Sequence, residues 1–269
     1  MTMIRVIVTG AGGRMGGRVL ALAKDAGDLQ IVGATECPGH PAIGRDVGEV
    51  AGIGPLGVKV GNSLSEIISG ADVIIDFTAP EASIGHLRAA SDAGVAIVVG
   101  TTGLSKEQLE EARGLAAKMS CIISPNMSVG VNVLFRVLKE VTRFLGDDYE
   151  VEITEAHHHY KKDAPSGTAV KMAQVVAEAL GWDLEQVGIY GRKGIVGERP
   201  KKQIGVHTVR AGDIVGEHTV LFGGMGERVE ITHRAHSRDN FARGALRAAR
   251  FVVQAPKGLY DMADVLGLK

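Results

Sequence analysis

Aromatic residues are scarce in this 269-residue chain, at 4%, too few for the stacking platforms on which proteins lay out single-stranded nucleic acid. An excess of either charge is missing as well. Thirty Lys and Arg face 31 Asp and Glu, a formal net charge of -1, so there is no basic surplus to displace phosphate counterions. Nucleic acid is thereby excluded as a partner class. Cys37 and Cys121 are the only cysteines, too few to staple a fold and in keeping with a reducing compartment. No apolar run is long enough to cross a bilayer: the longest uncharged stretch, 119–135, is broken by Ser124-Pro125-Asn126, Gly130 and Asn132. Met1-Thr2-Met3 leads straight into an apolar strand pattern, without the regions of an export signal. These absences lead to the expectation of a water-soluble, cytoplasmic protein with no membrane partner.

What the chain has in excess is glycine, 37 residues, against a usual share of about 7%. Glycine serves where backbone turns sharply or is approached closely by a ligand. The first half alternates short β-branched runs with helical stretches. Strands are expected at 4–9, 30–36, 72–77, 95–100 and 121–124, and helices at 14–26, 82–93 and 105–118. Near-continuous apolar strands between helices build a parallel sheet covered on both faces, the doubly wound, Rossmann-like α/β arrangement. After Asn126 the rhythm changes. A helix at 129–145, with Val133, Val137, Leu138 and Val141 on one stripe, precedes a strand at 149–156 and a polar segment at 157–168. A helix at 166–180 ending at Gly181 and a glycine-rich, basic loop at 188–200 come next. Strands at 203–210, 217–222 and 228–233 follow with no helix between them, and a helix at 240–253 returns to the first domain. The expected organisation is one domain at 1–127 and 239–269, and a second, α+β domain with a mixed, mostly antiparallel sheet at 128–238.

Between the first strand and the first helix lies Gly10-Ala11-Gly12-Gly13-Arg14-Met15-Gly16. Its spacing is G-x-x-G-x-x-G with an additional Gly12, not the strict G-x-G-x-x-G. A tight strand–helix turn is glycine-rich with no ligand at all, but here the context adds an acid. Glu36 ends the second strand, 20 residues beyond Gly16, where a carboxylate meets the adenosine ribose of a dinucleotide. Glycine amides that approach a pyrophosphate at the positive end of a helix complete the pattern. Gly10, Ala11, Gly12, Gly13, Arg14, Met15 and Glu36 are therefore cofactor candidates. Glu36 repels a 2′-phosphate and is followed by Cys37 rather than a basic residue, which favours NADH; Arg14 and Arg45 keep NADPH open. Two further turns fall at the carboxyl edge of the expected sheet, where ligands bind in such folds. Gly100, Thr101 and Thr102 lie in one, and Ser124, Pro125, Asn126 and Met127 in the other, all placed to hold the nicotinamide end. Ser105 with Gln108 also reads as a helix cap, and both readings can hold at once.

The densest chemistry is Glu155-Ala156-His157-His158-His159-Tyr160-Lys161-Lys162-Asp163-Ala164-Pro165-Ser166-Gly167-Thr168-Ala169. In extended chain His157 and His159 share a side and His158 takes the other. A metal could take His157 and His159 with Glu155, His207, His218, His233 or His236, but Lys161 and Lys162 oppose a cation there, so no metal is expected. A solvated polar loop is the bland alternative. An anion site makes better use of the residues. Pro165 precedes a helix start at Ser166-Gly167-Thr168 whose free amides face outward, and His157, His158 and Lys161 can each carry positive charge. Such a site suits a small carboxylate substrate beside a proton donor that titrates near neutrality, as a hydride acceptor requires when negative charge develops on it.

Taken together, the 10–16 and 100–103 turns, Pro125-Asn126-Met127-Ser128-Val129-Gly130-Val131-Asn132 and the histidine–lysine–proline–serine–glycine segment resemble the dihydrodipicolinate reductase family. So do Arg210-Ala211-Gly212-Asp213-Ile214-Val215-Gly216-Glu217-His218 and Ile231-Thr232-His233, and the likeness spans nearly the whole chain. The resemblance implies an oxidoreductase of lysine and diaminopimelate synthesis that reduces a cyclic imine dicarboxylate with NADH or NADPH. It implies His157 as acid/base residue, Lys161 as proton donor, and His158, Gly167 and Thr168 as holders of substrate carboxylates. It also implies a homotetramer assembled through the second domain, and closure of one domain onto the other over bound ligands. The competing readings are a dinucleotide-sensing protein without turnover, which leaves His157 and Lys161 without a task, and a metal-assisted hydrolase.

Overall fold

The computed structural model describes residues 3–269, so the reading of Met1-Thr2 as lacking an export signal lies outside the described residues. The elements run β1 (Ile4–Thr9), α1 (Arg14–Lys24), β2 (Leu29–Thr35), α2 (Val47–Val50), β3 (Val60–Gly61), β4 (Val73–Asp76), α3 (Pro80–Ala93), β5 (Ala96–Val99), α4 (Lys106–Leu115) and β6 (Ser120–Ile123). They continue with α5 (Val129–Leu145), β7 (Glu150–His157), α6 (Gly167–Leu180), α7 (Leu184–Val187), β8 (Gly188–Ile189), β9 (Ile204–Arg210), β10 (Gly216–Gly224), β11 (Glu227–Ala235), α8 (Asp239–Val252), β12 (Gly258–Tyr260) and α9 (Met262–Leu266). Two compact units result: one runs to Val129 and resumes from Arg238 to Lys269, the other is Gly130–Ser237.

In the first unit seven strands pair in the order β12-β6-β5-β4-β1-β2-β3, all parallel. Sequential strands sit on opposite sides of the β1/β4 junction, which is the topological switch point of a doubly wound sheet. Apolar runs such as Val6-Ile7-Val8 and Val73-Ile74-Ile75 are wholly buried because both faces are covered. Alternation sends Val6, Val8 and Ile75 into one core with residues of α1 and α8, and Ile7, Ile74 and Ile97 into another with residues of α3 and α4. No helix among the described residues is long and apolar enough to cross a membrane.

The second unit holds a five-stranded mixed sheet, β11-β10-β7-β9-β8: β10 is antiparallel to β7 and β11, while β9 is parallel to β7 and β8. The consecutive strands expected after 203 do not simply follow one another across the sheet, since β7 separates β9 from β10. The stretch expected as loop from 188 opens with the two-residue strand β8. Val151 and Ile153 of β7, Ile204 and Val206 of β9 and Val220 and Phe222 of β10 turn inward to meet Leu134, Leu138, Met172 and Val176 from α5 and α6. The stripe expected on α5 holds at Leu138 and Val141, which pack into this core, and is corrected at Val133 and Val137. Val133 and Val137 are each 40% exposed, and the buried set is Val131, Leu134, Leu138 and Thr142. Both sets satisfy a helical period; the one carrying the two leucines meets the sheet.

Candidate active site

In the first unit the site begins where β1 ends. Gly10 takes φ +71°, a left-handed turn open to glycine at no steric cost, and a Cβ on Gly16 would collide with the Gly10 carbonyl. Helix α1 then opens at Gly13 without a side-chain cap and without an acidic residue in its first turn. By contrast Asp46, Ser105, Ser166 and Asp261 cap α2, α4, α6 and α9. Uncapped amides at the positive end of a helix suit a pyrophosphate, so the residues fit a dinucleotide. Arg14 is exposed, whereas Ala11 is buried and Met15 packs on the core.

Glu36 directly follows β2. Its Oε1 accepts from the Gly12 amide at 2.8 Å and its Oε2 from the Cys37 amide at 3.1 Å, so the acid tethers the glycine turn. A Cβ on Gly12 would lie 2.7 Å from His40 Cε1 and 3.3 Å from Glu36 Oε1. The Ala42 amide donates to His40 Nδ1 at 3.2 Å. The sequence reading missed His40, because its approach to Gly12 depends on how residues 37–42 turn back.

At the carboxyl end of β4, Asp76 is fully buried. It accepts from Thr9 Oγ1 at 3.0 Å, the Thr78 amide at 3.0 Å and Thr78 Oγ1 at 2.6 Å, and faces His86 Nδ1 at 3.2 Å. Burial raises its carboxyl, but the His86, Thr78 and Ser83 contacts outweigh burial and hold it below the ordinary range. Thr101 is 5% exposed, and its Oγ1 accepts from the Thr78 amide at 3.0 Å and Ser83 Oγ at 2.8 Å. It therefore anchors its turn, while Thr102 beside it is exposed and a Cβ on Gly100 would collide with the Phe77 ring. In the next turn Ser124 Oγ donates to the Asn126 carbonyl at 3.0 Å and Asn126 Oδ1 accepts from the Ser128 amide at 2.9 Å. Pro125 is exposed and the Met127 side chain is buried in the core.

In the second unit the chemistry gathers at the end of β7. Extended chain stops at His157, because Lys161 N donates back to the His158 carbonyl at 3.1 Å, so the alternation of His157, His158 and His159 expected from a continuous strand does not hold. The ladder explains the placement. Glu155 lies on the same, helix-covered face as Val151 and Ile153, with Thr208 and His218 as its neighbours across β9 and β10. Fully buried there, it accepts from five donors: His157 Nδ1 at 2.6 Å, Arg210 Nη1 and Nη2 at 2.8 Å each, the Ser166 amide at 2.9 Å and Thr208 Oγ1 at 3.3 Å. Burial raises its carboxyl, but His157, Arg210 and the Ser166 amide more than compensate and bring it down to about 2. A Cβ on Gly216 would lie 3.1 Å from His157 Nε2, so glycine leaves the room in which the ring stands.

Ser166 caps α6 by accepting from the Ala169 amide at 3.2 Å, and its hydroxyl meets His218 Nε2 at 3.0 Å. Burial first, then the charge of His157, pushes His218 down to about 3, which leaves it neutral at physiological pH. Gly167 is exposed and Thr168 half-buried at the start of that helix. Lys161 Nζ is paired with Asp163 Oδ2 at 2.8 Å, and His159 Nδ1 lies 3.0 Å from the Gly212 carbonyl. The sequence offers Glu155 as a candidate metal ligand, whereas the structure makes it the common acceptor of His157, Arg210 and the Ser166 amide. Nothing local in the sequence tells that Arg210 and Ser166 meet around this carboxylate, with Gly216 beside the His157 ring and His218 on the Ser166 hydroxyl.

The parallel sheet with its uncapped glycine turn, joined to a unit rich in proton-transfer and anion-binding groups, defines a nicotinamide dinucleotide-dependent oxidoreductase. The family described as "Dihydrodipicolinate reductase, N-terminus" matches residues 4–127, and "Dihydrodipicolinate reductase, C-terminus" matches 130–266. The chain belongs to the dihydrodipicolinate reductase family. It is 57% identical over 267 residues, 99% of this chain and 100% of the relative, to the 4-hydroxy-tetrahydrodipicolinate reductase of Syntrophus aciditrophicus (strain SB). The protein of the same name from Syntrophobacter fumaroxidans is 55% identical over the same shares. Among solved structures, the dipicolinate-bound dihydrodipicolinate reductase of Paenisporosarcina sp. TG-14 superposes with a TM-score of 0.74 at 28% identity, covering 98% of this chain and 99% of that one. An amine dehydrogenase from Mycobacterium smegmatis, at 15% identity and a TM-score of 0.60 over 96% of this chain and 94% of that one, shares the fold alone.

Proposed function

We propose that this chain reduces 4-hydroxy-tetrahydrodipicolinate to tetrahydrodipicolinate, in lysine and diaminopimelate synthesis, with NADH preferred over NADPH. The first unit holds the dinucleotide: Gly10, Ala11, Gly12, Gly13, Arg14 and Met15 receive the pyrophosphate end, Glu36 the adenosine ribose, and Gly100, Thr101, Thr102, Ser124, Pro125, Asn126 and Met127 the nicotinamide end. Thr101 and Met127 act through their backbone, since the Thr101 hydroxyl is already engaged and the Met127 side chain is buried. Glu36 beside Cys37 gives the ribose an acceptor and a 2′-phosphate a repelling charge, which supports NADH. The bound cofactor supplies a hydride.

The second unit holds the substrate and manages the proton. The amides of Gly167 and Thr168 at the start of α6, with His158, take substrate carboxylates. Lys161, whose ammonium is balanced by the exposed Asp163, exchanges that partner for substrate and donates a proton. His157 serves as acid/base. The observation that carries the reading is His157 itself: a half-buried imidazole anchored through Nδ1 to a buried carboxylate has one nitrogen left for proton transfer. We further propose a homotetramer assembled through the second unit and a cytoplasmic enzyme.

Freshly made product of the preceding synthase, supplied with either nucleotide, tests the reading by absorbance at the reduced nicotinamide band. Oxidation should occur only when this substrate is present, and faster with NADH at equal subsaturating concentration. No oxidation of either nucleotide would overturn the activity, and faster use of NADPH would overturn the cofactor preference alone.

A further inference from the structure

The Glu155 carboxylate does more than neutralise an arginine. Ionised, it has no proton to give, so His157 must present Nδ1–H to it across 2.6 Å. That fixes the tautomer and leaves Nε2 as the nitrogen able to accept or release a proton. The other oxygen accepts from the amide of Ser166, the cap residue of α6. One buried side chain thus holds both the ring assigned to acid/base chemistry and the first turn of the helix assigned to carboxylate binding. Arg210 forks across both oxygens at 2.8 Å and also donates to the Asp163 carbonyl at 2.6 Å. The carboxylate can therefore stay ionised without taking the Nδ1 proton of its histidine. His218 on β10 stands with its ring centroid 5.2 Å from that of His157 and is itself acted on by Lys161 and by His233 of β11, while His158 follows in the chain and Lys161 pairs with Asp163 on the loop after β7.

We propose that Glu155 is the positioning residue of this site, setting the His157 tautomer and the start of α6 together, with Arg210 tempering its charge. This rests on the reading of His157 as the acid/base residue. The mechanism parallels other enzymes in which a buried carboxylate orients a catalytic imidazole, where replacing the acid by its amide costs about 10⁴-fold.

The test compares Glu155→Gln, Arg210→Gln and His157→Gln by kcat–pH profile, and ¹⁵N resonances of the His157 ring in wild type and the first two variants. Glu155→Gln should lower kcat by about 10²-fold or more, make the ring a mixture of tautomers, and move the alkaline limb of the profile to lower pH by about one unit, as loss of a neighbouring negative charge does. Arg210→Gln, which leaves the carboxylate undivided, should move that limb the opposite way and keep the Nδ1–H tautomer. A purely structural role would not produce shifts of opposite sign. Should Glu155→Gln not fold, the direction of the Arg210→Gln shift decides. If His157→Gln leaves kcat intact, the acid/base reading fails. If it abolishes kcat while tautomer and profile ignore Glu155 and Arg210, only the present inference fails.

Discussion

Besides Glu150 at its start, strand β7 carries Glu152 and Glu155, three residues apart on opposite faces of the sheet, and each has gathered an imidazole and arginine around it. Glu152, on the open face, accepts from His207 Nε2 at 2.6 Å, from both terminal nitrogens of Arg192 and from Arg199 Nε at 3.0 Å. Burial raises its carboxyl, but Arg192, His207 and Arg199 pull it to about 2, the same value as Glu155. Composition and proton affinity therefore do not separate the two clusters. Connection does. Arg192 and Arg199 belong to the stretch between β8 and β9 and also bond Gln203, so the Glu152 cluster ties that stretch to the sheet. Glu155 instead bonds the amide that begins α6 and a histidine held through Nδ1, which frees Nε2. His207 is held through Nε2 and keeps only the nitrogen flanked by its own backbone. A perturbed carboxylate is thus a poor guide to function by itself; what its partners leave free is the better one.

The sharpest way to break this comparison is to remove each imidazole. His157→Gln should lower kcat by about 10²–10⁴-fold, the range for a positioned acid or base, with NADH affinity near wild type by fluorescence titration. His207→Gln should leave kcat within about twofold, since one partner of an ion cluster contributes little outside the reaction. Equal losses from the two would mean that the clusters are not distinct in function.

The sequence showed much of the first unit and less of the second, for physical reasons. Buried parallel strands such as Val73-Ile74-Ile75 are apolar throughout and announce themselves locally. So do the caps: Ser105 with Gln108 forms the capping box its spacing implies, and Gly181 ends α6 in the left-handed conformation. The order β10-β7-β9 was hidden because pairing across a crossover leaves no local pattern. On α5 the sequence places Leu138 and Val141 correctly but not Val133 and Val137, because neighbouring stripes are both apolar and only the partner face decides between them. At the site, His157 and Lys161 stood out by their density along the chain. Arg210 and His218 lie more than 50 residues from Glu155 and came to it only through the register of β9 and β10.

Two glycines sharpen the comparison at lower stakes, because each gives one cluster its room. Gly216→Ala would set a Cβ 3.1 Å from His157 Nε2, so the ring must give by a few tenths of an ångström. Geometry at a reacting nitrogen is unforgiving, and kcat should fall by about tenfold with little change in Tm. Gly205→Ala would drive a Cβ into the Glu152 carboxyl. The expected cost is about 1–3 kcal/mol of stability in thermal unfolding, with kcat unchanged. The reverse pattern, activity lost at 205 and stability lost at 216, would exchange the roles given to the two clusters.

Acid should erase the difference, and this is the smallest effect. Both carboxyls lie near 2 in the folded chain, below the ordinary glutamate value of about 4.3 that the unfolded chain approaches. Folding free energy from either cluster is therefore complete above that ordinary value and drains away as pH falls toward 2, when the unfolded state takes up protons first. Urea midpoints followed from pH 6 to pH 3 should decline in wild type and decline less steeply in Glu152→Gln, which has lost one of the two sites. In Glu155→Gln the slope should ease by a similar amount although kcat suffers far more, because the linkage counts protons and is blind to what the histidine does. A slope unaltered in Glu152→Gln would mean that its arginines confer no net preference for the ionised form.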